Sequence, residues 1–119
     1  MEKVIKVGDK DVKFRATGAT MRIYRQRFQR DILQDMQHLQ KLRDSGEEFS
    51  AEALMCFENI AYVMAKQADP EIPDDPDEWL DNFDVFSIYQ VLPEIFNLWG
   101  INNISISVSK KKAKKPTAR

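Results

Sequence analysis

MRIYRQRFQRDILQDMQHLQKL, residues 21–42, is the stretch whose reading decides the fold. Met21, Tyr24, Phe28, Ile32, Met36, Leu39 and Leu42 recur at steps of three or four, the spacing of one face of an α-helix. Arg22, Arg25, Gln29 and Gln40 fall off that face. The spacing predicts a helix from about residue 20 to residue 44, about 36 Å long at ~1.5 Å per residue. Thr17 or Thr20 can cap its start, and Gly46 after Ser45 suits a left-handed stop.

Upstream, Lys3-Val-Ile-Lys-Val7 and Asp11-Val-Lys-Phe-Arg15 flank Gly8-Asp9-Lys10. Val12 and Phe14 share one face, so the pair predicts a β-hairpin around a Gly-Asp turn. A hairpin alone is marginal in water and needs a helix to pack on.

Downstream, Ser50 is a good N-cap and Glu52 a favourable first-turn acid for a second helix. Its stripe is Leu54, Phe57, Ile60, Ala61, Met64 and Ala68, and Asp69-Pro70 ends it. An acidic, proline-rich connector follows. Asp75-Pro76-Asp77-Glu78 then signals the start of a short helix carrying Trp79 and Leu80. Residues 83–99 are the most apolar of the chain and predict a buried helix, kinked or split near Leu92 by Pro93 and closed by Gly100. Ile104, Ile106 and Val108 alternate as in a third short strand. The expected fold is α+β, mostly α: a hairpin, then a small bundle of three to four helices. Residues 1–108 form one domain in this reading, and 109–119 form a basic, disordered tail.

The totals limit the function. The chain has 119 residues, 43% hydrophobic and 10% aromatic, enough for one core. Its net charge of -1 conceals a polarised layout. Residues 69–84 hold eight acids and no base, and residues 109–119 hold six bases and no acid. Without that tail, 12 of the 18 bases remain against 19 acids, so the body is acidic and nucleic acid is not an expected partner. No apolar run is long enough for a membrane helix, and no secretion signal opens the chain. The lone Cys56 has no partner for an intramolecular disulfide, which fits a reducing cytosol.

The chemistry of catalysis has no visible home. His38 and Cys56 lack the neighbours that a metal or nucleophile motif requires. The acidic run has Asp75 and Asp77 alternating, but prolines interrupt it and it lacks the glycine of a calcium loop. The four glycines are too scattered for a phosphate loop. No catalytic, metal or cofactor site is expected, and what remains is a binding module.

Four blocks, in order, carry a family resemblance. The first is Phe14-Arg15-Ala16-Thr17 with Tyr24-Arg25-Gln26-Arg27-Phe28-Gln29-Arg30-Asp31 and Asp35-Met36. The second is Phe57-Glu58-Asn59-Ile60-Ala61-Tyr62-Val63-Met64-Ala65-Lys66. Glu78-Trp79-Leu80-Asp81-Asn82-Phe83 is the third, and Phe86-Ser87-Ile88-Tyr89-Gln90-Val91-Leu92-Pro93-Glu94-Ile95 with Leu98-Trp99 the fourth. Across roughly residues 3 to 100 the chain resembles tail assembly chaperones of siphophages and prophages of Gram-positive bacteria. One departure is Gln29, where the family pattern carries Gly; inside a helix Gln is easily tolerated there.

The resemblance implies a chaperone that binds the tape measure protein, keeps its helical stretches soluble and helps recruit major tail protein. It implies a place in the host cytoplasm and absence from the mature virion. Many such chaperones are also made in a longer form by translational frameshifting, and Lys110–Lys112 and Lys114–Lys115 would suit an A-rich slippery codon run. Such a chaperone should offer apolar surface to amphipathic helices or to another copy of itself. Tyr24, Phe28, Ile32, Met36, Tyr89, Phe96 and Trp99 are the candidate partner-binding residues. Two other classes stand beside it. One is a structural tail component, connector or terminator. The other is a small DNA-binding regulator using Arg22, Arg25, Arg27 and Arg30, which the acidic body opposes.

Overall fold

A computed structural model describes residues 1–100. The expected strand at 101–108 and the basic tail at 109–119 lie outside the described residues. The elements are β1 (Glu2–Val7), β2 (Lys10–Arg15), α1 (Gly18–Phe28), α2 (Ile32–Ser45), α3 (Ala51–Ala68), α4 (Pro76–Leu80), a 3₁₀ turn (Tyr89–Val91) and α5 (Leu92–Trp99). This is the expected α+β, mostly helical architecture.

The hairpin pairs Val7 with Lys10 across a two-residue loop and runs in register to Glu2 and Arg15. Gly8 takes φ 65° as the first loop residue, the place where a type II′ turn demands glycine. Ile5, Val7 and Phe14 are buried, while Val4 faces out. β2 lies along α3, and β1 touches α5 and the 3₁₀ turn. Lys3 also pairs with Glu94 of α5 at 3.4 Å.

α3 is the centre of the molecule. Ile60 to Ala65 are buried without interruption, which covers more than one turn and therefore every side of the helix. β2, α1 and α2 pack around it. The acidic connector is strapped to it. Lys66 Nζ donates to the carbonyls of Pro70 (3.1 Å) and Ile72 (2.5 Å) and pairs with Asp74 at 3.0 Å. Trp79 of α4 sits edge-on between Tyr62 and Phe83, with ring centroids 5.8 and 5.1 Å away.

The predicted long first helix is two helices, and the break has a physical reason. At about 100° per residue, Tyr24 and Met36 would point about 120° apart on a straight helix. Both are fully buried here because the chain bends between them. Gln29 ends α1 in the left-handed conformation, φ 56° and ψ 42°, its N–H bonded to Arg25 O at 2.8 Å. Asp31 then caps α2, its Oδ1 accepting from Leu33 N at 2.9 Å and Gln34 N at 3.4 Å. Gln29 is thus a helix terminus rather than a helix interior. The glycine of the family pattern is the residue this conformation favours. Gln29→Gly is expected to raise stability by about 0.5–1 kcal/mol, the left-handed penalty outweighing glycine's extra unfolded entropy. Urea denaturation checks it, and a lower midpoint would contradict the assignment.

The second correction concerns residues 83–99. The chain does divide near Leu92, as Pro93 led us to expect, but residues 83–88 form no helix. Asp84 Oδ1 accepts from Ser87 Oγ at 2.5 Å and Ser87 N at 3.1 Å, forming a local turn in place of helix. Those bonds hold the Asp84 carboxyl below its ordinary pKa. The helix proper starts at Leu92, with Pro93 in its first turn, where a missing N–H costs nothing.

Candidate functional site

The turn at 84–87 throws two large apolar side chains outward. Val85 is 75% exposed and Phe86 69% exposed, the most open apolar side chains among the described residues. Phe86 stands at the edge of a groove of ≈ 760 Å³. One wall is the end of α2 with its loop, including Arg43, Glu47, Glu48 and Phe49. The floor is Leu54 and Phe57 of α3, and the far wall is Tyr89, Leu92 and Pro93.

Local sequence builds each wall. Gly46 ends α2 at φ 76°, and Glu47 N reaches back to Leu42 O at 3.1 Å. That closing pattern turns the chain sharply into α3. Ser50 Oγ then accepts from Ala53 N at 3.1 Å and starts α3. The Tyr89 hydroxyl donates to the Glu58 carboxylate of α3 and so pins the 3₁₀ turn to the groove. This bond, with partial burial, pushes the Tyr89 pKa up to about 12. The rim charges are exposed Glu47 and Glu48 beside Arg43, whose guanidinium lies 4.7 Å from the Phe96 ring centroid. Apolar walls with a charged rim can take an amphipathic partner.

Of the seven residues proposed from the sequence, only Tyr89 lines this groove. Tyr24, Ile32, Met36 and Phe96 are inside the core, so in this conformation they hold the fold rather than face a partner. Phe28 is half-buried with its ring 5.3 Å from Tyr24. Trp99 is half-buried and donates Nε1 to Met64 Sδ at 3.2 Å. The groove residues that the sequence reading missed are Phe49, Leu54, Phe57, Phe86 and Leu92. The Asp84-x-x-Ser87 spacing was the available signal, because a turn there frees Phe86 from a helix.

A second constellation sits at the α1–α2 bend. Asp35 is 7% exposed. It receives Arg30 Nε and Nη2 at 2.8 Å each and the Tyr24 hydroxyl at 2.7 Å. Burial pushes its pKa up, but the Arg30 and Tyr24 bonds outweigh burial and hold it below the ordinary carboxylate value. Burial and then Asp35 drive the Tyr24 hydroxyl far up. The buried Cys56 thiol is likewise raised, by burial and by the charge of Asp35. Through Asp35, the cluster ties Tyr24 of α1 and Arg30 of the linker to α2 and so clasps the bend.

Arg30 is held by Asp35 and by Glu52 at 3.2 Å. Arg27 donates to the Asp74 carbonyl and lies 4.9 Å from the Tyr62 ring centroid. Two of the four arginines proposed for DNA thus make contacts within the chain. His38 is exposed. Among the described residues no group of three or more His, Cys, Asp or Glu side chains is placed to hold a metal, and no helix is long and apolar enough to cross a membrane. No family model, curated protein or solved structure matches this chain.

Proposed function

We propose that this chain is a tail assembly chaperone, a non-enzymatic binding protein. It holds an amphipathic helical segment of the tape measure protein, keeps it soluble and helps bring major tail protein to it. It acts in the host cytoplasm and leaves before the virion is complete. The observation that carries the reading is the open apolar groove with Phe86 standing uncovered at its edge. A helix laid along it would place apolar residues at i, i+3, i+4 and i+7 against Phe49, Leu54 and Phe86. The left-handed Gln29, at a position where the family pattern carries Gly, adds support.

Co-expression with the neighbouring tape measure product, followed by pull-down and a solubility assay, tests the proposal. The unaltered chain is expected to keep that product soluble and to co-purify with it. Phe86→Asp is expected to weaken capture by more than about tenfold, the effect of losing one well-packed aromatic anchor, with the circular dichroism melt unchanged. Full binding by a folded Phe86→Asp chain would remove the groove from the mechanism. No capture by the unaltered chain would remove the chaperone. Presence of the chain in purified virions would point instead to a structural tail component.

A further inference from the structure

A second groove, of ≈ 610 Å³, runs beside β2 and has a different character. One wall is Lys10 to Lys13 of β2. The two-residue loop makes Lys10, Val12 and Phe14 the residues that exchange backbone hydrogen bonds with β1. The amides and carbonyls of Asp11 and Lys13 therefore point away from β1, and among the described residues their amides have no partner. Half-buried Val12, Ile72 and Phe83 line the same groove. An open strand edge beside apolar surface is a template for a further strand.

The charges of this edge select its partner. A second copy of β2 can pair with it antiparallel about a two-fold axis, provided that outward-pointing residues lie opposite each other. Centred on Lys10 or Asp11, such a pair sets acid opposite acid. Centred on Lys13, Phe14 or Arg15, it sets base opposite base. Like charges directly opposite destabilise a cross-strand pair. Centred on Val12, the pair sets Asp11 of each copy opposite Lys13 of the other, and Val12 opposite Val12. The edge is thus complementary to itself in that register alone. Within one copy Asp11 meets Lys6 at 3.5 Å and Lys13 meets Glu2 at 3.7 Å. Both are solvent-exposed ion pairs, which stabilise little and leave the two charges available to a second copy.

We propose that two copies of this chain join β2 to β2, antiparallel and centred on Val12, so that one sheet runs through the dimer. Asp11 of each copy exchanges its backbone bonds with Lys13 of the other, and the side chains of that pair carry opposite charge. Val12 packs on Val12 beside Ile72 and Phe83. The pairing closes the open edge of the hairpin. The two grooves share no lining residue, so the dimer stands whether or not the first groove holds a helix.

Sedimentation equilibrium of the full chain tests this. The unaltered chain is expected to dimerise with a dissociation constant of about 10–100 µM, weak because one strand pair buries less than a standard interface. Lys13→Pro removes an amide that has no partner within its own copy, and is expected to abolish the dimer with the circular dichroism melt unchanged. Asp11→Lys and Lys13→Asp each set like charges across the pair and are expected to weaken it about tenfold. An equimolar mixture of those two variants restores opposite charges and is expected to dimerise like the unaltered chain. A chain still monomeric at about 1 mM, a dimer that Lys13→Pro leaves intact, or a mixture as weak as its components would overturn the proposal. So would a dimer lost in Phe86→Asp, which would place the contact at the first groove. Should Lys13→Pro fail to fold, the charge mixture decides alone.

Discussion

Asp35→Ala is expected to cost about 2–3 kcal/mol at neutral pH, measured by urea denaturation. Asp35 is buried, and its two oxygens satisfy a hydroxyl and a bidentate guanidinium at once. Removing it strands the Tyr24 hydroxyl, which is fully buried. The guanidinium loses less. Its side chain is 41% exposed and keeps Glu52 at 3.2 Å, so the loss stays below that of a fully buried pair. The bend adds a further cost, because Arg30 lies in the linker between α1 and α2 and its clasp to Asp35 fixes the linker's path.

The same cluster sets a pH dependence. The folded pKa of Asp35 lies below its unfolded value. Its contribution is therefore fully present above about pH 4, the unfolded carboxylate value, and is lost as pH falls through the folded value. The Cys56 and Tyr24 shifts run the other way, upward. Their contributions are present at neutral pH and are lost above about pH 8.5 and about pH 10, as the unfolded groups begin to ionise. The gap between the unaltered chain and Asp35→Ala should narrow in acid. A gap that stays constant down to pH 2 would show that Asp35 does not act through its charge.

The elements that local chemistry specifies were legible in the sequence. The hairpin follows from alternation around Gly8, α3 from Ser50 and Pro70, and α4 from the Asp75–Pro76 start. What was not legible depends on where the rest of the chain lies. The stripe from Met21 to Leu42 satisfies helical spacing at each step, yet its successive steps of four drift around the helix. Only the position of α3 decides that the chain must bend. The capping Asp31 was visible but competed with an unbroken periodicity. The same limit applies to the candidate site. Tyr24, Ile32, Met36 and Phe96 are good partner-binding residues by type and prove to be core by position. The seam from 83 to 99 reads as evenly apolar, but Asp84 and Ser87 divide it into an exposed turn and a buried helix.

That division gives a sharp pair of expectations for two phenylalanines ten positions apart. Phe96→Ala is expected to lower stability by about 3–5 kcal/mol, the usual cost of emptying a buried aromatic site, and the melting temperature by more than about 10 °C. Phe96 is wholly buried, and the Arg43 guanidinium over its ring would lose its aromatic partner as well. Phe86→Ala removes an equal number of atoms from a side chain that solvent already surrounds. Its stability should stay within about 0.5 kcal/mol of the unaltered chain, while its capture of an amphipathic helix falls. Composition and spacing treat the two residues alike, so the contrast isolates position as the cause. If Phe86→Ala melts as low as Phe96→Ala, then Phe86 belongs to the core, the first groove is closed in solution, and the proposed binding surface must be sought elsewhere on the molecule.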